Sequence, residues 1–243
     1  MHALIVHCHP EPSSFNASLT NIAVETLQRS GYTVEVSDLY AESFDPVEKA
    51  EHYVNCENRT CFSPLVEQRH ACTTGTLPSD VKREISRLQR ADVVIIQFPL
   101  WWHAQPAMLK GWFDRVFVSG GLYTSSMRYD RGYFSGKRVM CSVTTGAPEG
   151  TFGPQSRGGN IEALLWPIHY SLYYMGFSVL PPFLAFGIQS HDFQHKDTAA
   201  FSVKLGDDKA QWSARLEGIN CLKPLSFPGW GDWDEDGACR VNR

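Results

Sequence analysis

Residues 97–117 read QFPLWWHAQPAMLKGWFDRVF, and an uncharged run from Val93 to Phe98 leads into them. Four residues of that run are β-branched, which is typical of a strand buried on both faces of a parallel sheet. Pro99 cannot donate a hydrogen bond to a neighbouring strand, so we expect the strand to end there. Pro106 suits the first turn of a helix. Apolar residues then recur at helical spacing and predict an amphipathic helix: Met108, Leu109, Trp112, Phe113, Val116 and Phe117.

The loop between this strand and this helix holds Leu100, Trp101, Trp102 and His103. Open α/β sheets bind their ligands at the carboxyl ends of parallel strands. Large flat rings at that position indicate a flat, conjugated ligand. Taken alone, the two tryptophans are better explained as a cover for the end of the sheet, but the neighbouring loops favour a ligand site.

The composition is that of an ordinary globular protein. The chain has 243 residues, 43% of them hydrophobic, and a formal net charge of -4. This charge gives no electrostatic reason to expect nucleic acid or an anionic membrane as a partner. The apolar runs are too short to span a membrane, and no basic segment with an apolar core precedes the first strand. Seven scattered cysteines do not resemble a disulfide framework, so we expect a reduced, cytoplasmic protein.

A polar loop also follows the first predicted strand, residues 3–7. Residues 8–16 are mostly small, polar or proline, and a helix with an apolar face then extends to a stop at Gly31. A helix that starts at the end of a strand presents free backbone N–H groups to an anion. Ser13, Ser14 and Asn16 add side-chain donors. The glycine patterns of the dinucleotide fingerprint and of the P-loop are absent, and the alternative is an ordinary capped helix.

The remaining strands and helices are predicted from their apolar patterns. We expect strands at 33–36, 137–145 and 177–186, and helices that begin near residue 77 and cover 164–175 and roughly 195–220. The strand at 137–145 leads into a third polar loop, residues 144–150, in which Gly146 lets backbone amides approach a ligand closely.

Two segments are harder to interpret. Residues 41–78 show no clear periodicity, and we expect an irregular insertion there. Its Cys56 and Cys61 are spaced too widely for a usual zinc site, so no metal site is expected. Residues 222–243 are rich in proline, tryptophan and acidic residues, and we expect this tail to lie across a surface of its own chain or of a partner.

The alternation of strands and helices predicts one α/β domain over residues 1–221, a doubly wound five-stranded parallel sheet with helices on both faces, followed by the tail. The loops at 8–16, 98–105 and 144–150 all follow strands. Since parallel strands end at the same edge, we expect these loops to gather there.

Several motifs, in this order and at this spacing, resemble the NAD(P)H:quinone oxidoreductases of the DT-diaphorase type. The resemblance extends from the first strand to about Phe186. It is carried by His9 with Ser14-Phe15-Asn16, Ser37-Asp38-Leu39-Tyr40, Gln97-Phe98-Pro99-Leu100 with Trp102, residues 110–117, Thr144-Thr145-Gly146 and Trp166-Pro167-Ile168. It implies a flavodoxin-like fold, tightly bound FAD rather than FMN, and a homodimer with two sites at the interface.

The resemblance also assigns residues to the cofactor. The loop that holds the FAD pyrophosphate and ribityl region matches His9, Ser14, Phe15, Asn16 and Ser18. The stretch that flanks the isoalloxazine matches Pro99, Leu100, Trp101, Trp102 and His103, with His103 where the family usually has Phe. The loop at the pyrimidine end of the flavin matches Thr144, Thr145, Gly146 and the adjacent Ala147. Two further matches face the partner's site: Asp114 on the adenine side of the partner's FAD, and Tyr123 at the partner's substrate pocket.

The chain departs from the family after the third loop. Well-studied members carry a Tyr and, six residues later, a His that stabilise the reduced flavin, and the matching positions here are Phe152 and Gly158. Neither side chain can donate a hydrogen bond. The neighbouring Arg157 is a candidate source of positive charge at the flavin, and a solvated arginine is the equal alternative.

The resemblance implies a two-step reaction in one pocket. NAD(P)H passes hydride to the flavin, and a quinone then takes the hydride from it. Trp102, His103, Phe152 and the partner's Tyr123 are the expected walls, and His103 either hydrogen-bonds a quinone oxygen or simply replaces Phe. Two alternatives stay open: a reductase of azo, nitroaromatic or other electrophilic compounds, and a non-enzymatic flavodoxin-like electron carrier. The choice between NADH and NADPH also stays open.

Overall fold

Five parallel strands form a single sheet in the computed structural model, which describes residues 1–189 and 197–240. Their order is β2-β1-β3-β4-β5. The strands are β1 (His2–His7), β2 (Thr33–Asp38), β3 (Val93–Pro99), β4 (Arg138–Thr144) and β5 (Ser178–Ala185). The central strand β3 is buried along its whole length and ends at Pro99, as its uncharged β-branched run predicts. The predicted five-stranded parallel sheet is confirmed.

Helices cover both faces of the sheet. They are α1 (Phe15–Arg29), α2 (Pro64–Thr74), α3 (Ser79–Arg90), α4 (Ala107–Val116), α5 (Ile161–Tyr174) and α6 (Thr198–Glu217). Successive strand residues point to opposite faces. Leu4 and Val6 therefore pack on the side of α3, α4 and α5, whereas Ala3 and Ile5 pack on the side of α1 and α6. Among the helices of the described residues, none is both long enough and apolar enough to cross a membrane.

The expectation of an irregular segment at 41–78 is wrong for Pro64–Thr74, which forms α2. The helix begins with Pro64 in its first turn and ends at Gly75, whose φ of 72° is left-handed. Its buried face carries Glu67 and Gln68, so the apolar periodicity that marks a helix is missing. The Glu67 carboxylate accepts the backbone N–H groups of Glu57 (2.8 Å) and Asn58 (3.1 Å), which compensates for its burial.

Smaller differences concern element ends. Helix α4 begins at Ala107, with Pro106 as its N-cap rather than inside the first turn. Helix α5 begins at Ile161, three residues before the predicted start, because the Asn160 side chain accepts the N–H of Glu162 at 2.8 Å and caps the helix. Helix α6 ends at Glu217, and the predicted start at His195 lies outside the described residues.

The C-terminal tail lies on its own chain. The Leu225 N–H donates to the Val179 carbonyl of the edge strand β5 at 2.8 Å. The Tyr173 hydroxyl donates to the Pro228 carbonyl at 2.9 Å. Of the two surfaces expected for the tail, the structure therefore shows the chain's own.

One core residue makes stability depend on pH. His169 on α5 is 5% exposed, and its Nε2 has no hydrogen-bond partner among the described residues. Burial lowers the pKa of His169 to about 4. Between about pH 6.5 and 4 the unfolded chain therefore binds a proton that the folded chain excludes, and stability falls as the pH falls.

We expect His169→Leu to flatten this dependence. One pKa unit corresponds to about 1.4 kcal/mol, so the wild type should lose about 3 kcal/mol more than the variant between pH 7 and pH 4. Urea unfolding at a series of pH values measures the difference. If the free energy of unfolding depended on pH equally in wild type and His169→Leu, His169 would not be the source of this dependence.

Candidate functional site

A cavity of about 230 Å³ opens at the carboxyl ends of β3 and β4. We call it the first cavity; it is lined by Leu100, Trp102, His103, Thr145, Gly146, Ala147, Phe152 and Gly158. The predicted loops after β3 and β4 thus meet in one concave site, and most of its lining was expected from the sequence. His103 is the one titratable side chain in this lining.

A tight turn presents two of the rings. Trp101 and Ala104 exchange two backbone hydrogen bonds, each of 3.0 Å. The residues between them have positive φ angles, 49° for Trp102 and 60° for His103. This is the pattern of a type I′ turn, which normally carries Asn or Gly, and left-handed backbone is uncommon for bulky side chains. The Trp102 side chain is 93% exposed. Strain and a bare indole beside a cavity together indicate a surface built to be covered by a ligand.

A buried hydrogen-bond group joins the three loops. The Asn16 amide donates to the Thr144 hydroxyl at 3.0 Å, and the Asn16 carbonyl oxygen accepts from the Gln97 amide at 2.9 Å. These residues lie at the start of α1 and near the ends of β3 and β4. Asn16 is only 4% exposed, and its side chain links the loops.

The first loop offers neutral hydrogen-bond donors. The backbone N–H of Glu11 donates to His9 Nδ1 at 3.1 Å, which leaves the proton of the neutral ring on Nε2. Burial lowers the pKa of His9, so the neutral form is favoured. Ser14 caps α1 by accepting the Ala17 N–H at 3.1 Å, and its hydroxyl hydrogen stays free to donate. The His9 ring lies 5.9 Å from that of Trp101, which joins the first loop to the strained turn.

Burial also keeps neighbouring groups uncharged. It raises the pKa of the Cys8 thiol to about 12 and lowers the pKa of His7, whose Nδ1 lies 2.8 Å from the Thr20 hydroxyl. The residues at this end of β1 would therefore bind a ligand through neutral hydrogen-bond donors rather than through a cationic side chain. Phe15 and Ser18 lie half-buried in the first turn of α1, and Pro99 is buried beneath the strained turn.

The third loop is folded tightly on itself. The Gly158 N–H donates to the Thr151 carbonyl at 2.9 Å, and a Cβ on Gly158 would lie 2.9 Å from that oxygen and 3.3 Å from the Phe152 ring. The position where the resembling family has His therefore has no room for a side chain in this conformation. Arg157 is exposed and is not part of the cavity lining, and it makes no polar contact within the described residues.

A second cavity, of about 370 Å³, is lined by residues of α2, α4 and α5. It is lined by Leu65, Gln68, Gln105, Lys110, Phe113, Asp114, Phe117, Tyr123, Pro167, Tyr170, Ser171, Tyr174 and Met175. The predicted site residues Tyr123 and Asp114 lie here, away from the first cavity. The Asp114 carboxylate forms an ion pair with Lys110 at 2.7 Å.

Most of the second cavity is formed by residues that no sequence pattern indicated as functional. Leu65 and Gln68 lie on the unexpected helix α2, so no signal pointed to them. Tyr170 and Tyr174 are four residues apart on α5 and share a helix face, which was readable but gave no hint of function. Gln97 was expected only as part of a motif, whereas its side chain contacts the first loop. Across residues 1–189 and 197–240, no three His, Cys, Asp or Glu side chains are grouped to hold a metal ion.

Comparisons with known proteins agree with this architecture. A protein-family model described as a flavodoxin-like fold matches residues 1–207. Mouse ribosyldihydronicotinamide dehydrogenase (quinone) is 38% identical over 228 residues, which cover 92% of this chain and 96% of the mouse protein. Guinea pig (Cavia porcellus) NAD(P)H dehydrogenase (quinone) 1 is 38% identical over 227 residues, covering 93% of this chain and 79% of that protein.

A solved structure gives the same answer. A Klebsiella pneumoniae protein assigned as a quinone reductase superposes with a TM-score of 0.89 at 34% identity, covering 99% of this chain and 94% of the other. The chain therefore belongs to the flavodoxin-like family and, within it, to the NAD(P)H dehydrogenase (quinone) group. It is an enzyme, an oxidoreductase, as the sequence predicted.

Proposed function

We propose that the protein is an FAD-dependent NAD(P)H:quinone oxidoreductase that works by a ping-pong, two-electron mechanism. The observation that carries the proposal is the first cavity, with flat apolar walls and an exposed indole on a strained turn, at the carboxyl edge of a flavodoxin-like sheet. Such a site suits a flat conjugated ring, with a few polar groups to orient it.

The residues of the site fit a flavin. Gly146 leaves open space, since a Cβ there would meet only the Ile188 carbonyl oxygen, at 3.8 Å. The ring would lie between this loop and Trp102, and the first loop would hold the phosphate groups through Ser14, the start of α1 and neutral His9. When bound, the flavin supplies hydride transfer between the nicotinamide and the acceptor. The proposal of FAD rather than FMN rests on the motif resemblance to the DT-diaphorase-type family alone.

The walls of the first cavity do not supply a strong acid or base. Phe152 would pack against the flat substrate, and His103 would donate a hydrogen bond to a quinone oxygen. We keep Arg157 as the proposed source of positive charge for the reduced flavin, because the closely packed Gly158 cannot supply it.

A homodimer would complete the site. Tyr123 and Asp114 line the second cavity and do not reach the first cavity of the same chain. Large apolar side chains are exposed around the second cavity, with Leu65 at 54% and Trp166 at 50%. We propose that this face covers the first cavity of a second copy. Light scattering on the purified protein tests this, since a monomer would contradict it.

We expect Trp102→Ala to weaken flavin binding without destabilising the fold. The indole is 93% exposed, so its loss should change the free energy of unfolding by less than about 0.5 kcal/mol. Stacking of a flat ring on an aromatic side chain is worth about 1–3 kcal/mol, so the Kd for flavin should rise about tenfold to hundredfold.

The Kd of the Trp102→Ala variant for flavin is measured from the fluorescence of flavin that is released at equilibrium. Val54→Ala is the matched control, because Val54 is 86% exposed and lies outside the cavity lining. If Trp102→Ala left the Kd for flavin unchanged, Trp102 would not contribute to flavin binding.

Initial rates test the proposed reaction. Heat-released cofactor is first identified as FAD or FMN by chromatography. Rates measured at varied NAD(P)H and varied quinone should then give parallel double-reciprocal lines, the mark of a ping-pong mechanism. Faster turnover of azo or nitroaromatic compounds than of any quinone would favour the alternative reductase. No turnover of any quinone would contradict the proposed function.

A further inference from the structure

The C-terminal tail is hydrogen-bonded to the loop at residues 124–132. The Trp230 indole N–H donates to the Arg128 carbonyl at 3.0 Å, and the Trp230 backbone N–H donates to the Asp130 carboxylate at 3.1 Å. A Cβ on Gly229 would lie 2.8 Å from the Asp130 carboxylate, so the tail backbone lies directly against the loop. The tail therefore fixes both the backbone and a side chain of this loop.

Tyr129 is held in an unfavourable conformation between the tail and α5. Its φ of 59° is left-handed, which is uncommon for a tyrosine. The tail side contributes Trp233, with ring centroids 4.7 Å apart, and Trp230, at 5.7 Å. Helix α5 contributes Tyr174, at 5.0 Å. Because a strained residue persists only where its surroundings determine it, the tail rings are part of what keeps the loop in place.

The same contacts extend to the second cavity. The Arg128 guanidinium lies 5.4 Å from the Trp230 ring centroid and 5.7 Å from that of Tyr174, and it donates to the Tyr174 hydroxyl at 3.3 Å. The Tyr174 ring packs edge-on against that of Tyr123 at 5.6 Å. Tyr123 and Tyr174 both line the second cavity, and Tyr123 directly precedes the loop at residues 124–132.

We propose that Trp230 is a positioning residue that fixes Tyr123 and Tyr174, so that the tail determines how tightly the face around the second cavity closes over a flat acceptor in the first cavity of a second copy. This inference rests on the proposed function, in which Tyr123 closes the substrate pocket of a second copy. Trp230 lines neither cavity and would act through its contacts with Arg128 and Tyr129.

Three variants of the full-length, flavin-loaded protein test the proposal. Trp230→Ala removes both the ring and the indole N–H, whereas Trp230→Phe keeps a smaller aromatic ring and removes the indole N–H. Tyr133→Ala is the control, because Tyr133 is a 39% exposed aromatic just beyond the same loop, and it contacts Gln89 and Phe134 instead of the tail. Hydrogen exchange of residues 124–132 and steady-state kinetics with a one-ring quinone are measured for each.

We expect Trp230→Ala to speed exchange of the loop and to raise the quinone KM about tenfold, with kcat within about twofold of wild type. The exchange rate and the quinone KM of Trp230→Phe should fall between those of wild type and Trp230→Ala. Both values for Tyr133→Ala should match wild type. Faster exchange with an unchanged KM would overturn the proposal, and so would an equal KM increase in Tyr133→Ala. A wild-type protein that reduces no quinone would instead overturn the proposed function, and this inference with it.

Discussion

Gly111→Ala is expected to destabilise the fold severely, by about 3 kcal/mol or more in the free energy of unfolding. A Cβ on Gly111 would lie 2.0 Å from the Pro46 carbonyl oxygen and 2.5 Å from the Pro46 Cβ. The backbone beside Pro46 cannot easily move away, because Arg115 donates to the Asp45 carbonyl at 2.6 Å and to the Asp80 carboxylate at 2.6 Å. The added methyl group must therefore push α4 away from this segment and disrupt the packing between them.

Gly206→Ala is the matched control for this prediction. Gly206 lies inside α6, and a Cβ there would meet no atom within 4 Å. Alanine favours a helix over glycine by about 1 kcal/mol, so this variant should be as stable as wild type or more stable. Urea unfolding of the two variants measures the contrast. A Gly111→Ala protein as stable as wild type would show that α4 and residue 46 are not in close contact.

Glu84→Ala is expected to have the second largest effect. The Glu84 side chain is fully buried, and its carboxylate accepts the Ser37 hydroxyl at 2.7 Å and the Trp112 indole at 3.0 Å. It also pairs with Arg87 at 2.7 Å. The substitution leaves two buried donors without an acceptor and opens a cavity between α3, β2 and α4.

The expected loss for Glu84→Ala is about 3 kcal/mol, at the lower end of the range for a broken buried ion pair. The lower end applies because Arg87 keeps Glu35 at 3.0 Å and Glu42 at 2.8 Å, so its charge is not left alone. Glu25→Ala, at an exposed position of α1, should change stability by less than about 0.5 kcal/mol. Equal losses in the two variants, measured by urea unfolding, would contradict the role of Glu84.

The strands were predictable because their pattern is local. The uncharged run that forms β3 is short and β-branched, which favours a buried strand over a helix, and Pro99 marks its end without any knowledge of the rest of the chain. Helix α2 was not predictable, because its buried face is polar. Gln68 donates to the Asp114 carbonyl at 3.0 Å and accepts the Ser119 N–H at 3.0 Å. Because these hydrogen-bond partners are distant in sequence, the sequence of α2 shows no apolar periodicity that would predict a helix.

The same contrast applies to the candidate site. The meeting of the three loops follows from the shared direction of the strands. Most of the lining of the first cavity was expected from the sequence, whereas other expected site residues, such as His9, Asp114 and Tyr123, lie outside that lining. The shape of the strained turn could not be foreseen, because tryptophan rarely adopts a positive φ and the pair Trp102-His103 lacks the Asn-Gly signature of a type I′ turn. Nor could the sequence show that Asn16 is buried as a link between loops, since exposed asparagine caps look the same.

The most direct test of the proposed function separates its two half-reactions. The purified protein is kept free of oxygen, and its visible spectrum is followed while NADH or NADPH is added and then a quinone. The proposal predicts a flavin band that bleaches with the nicotinamide and returns with the quinone, without further nicotinamide. A flavin band that stays oxidised, or a protein that binds no flavin, would contradict it.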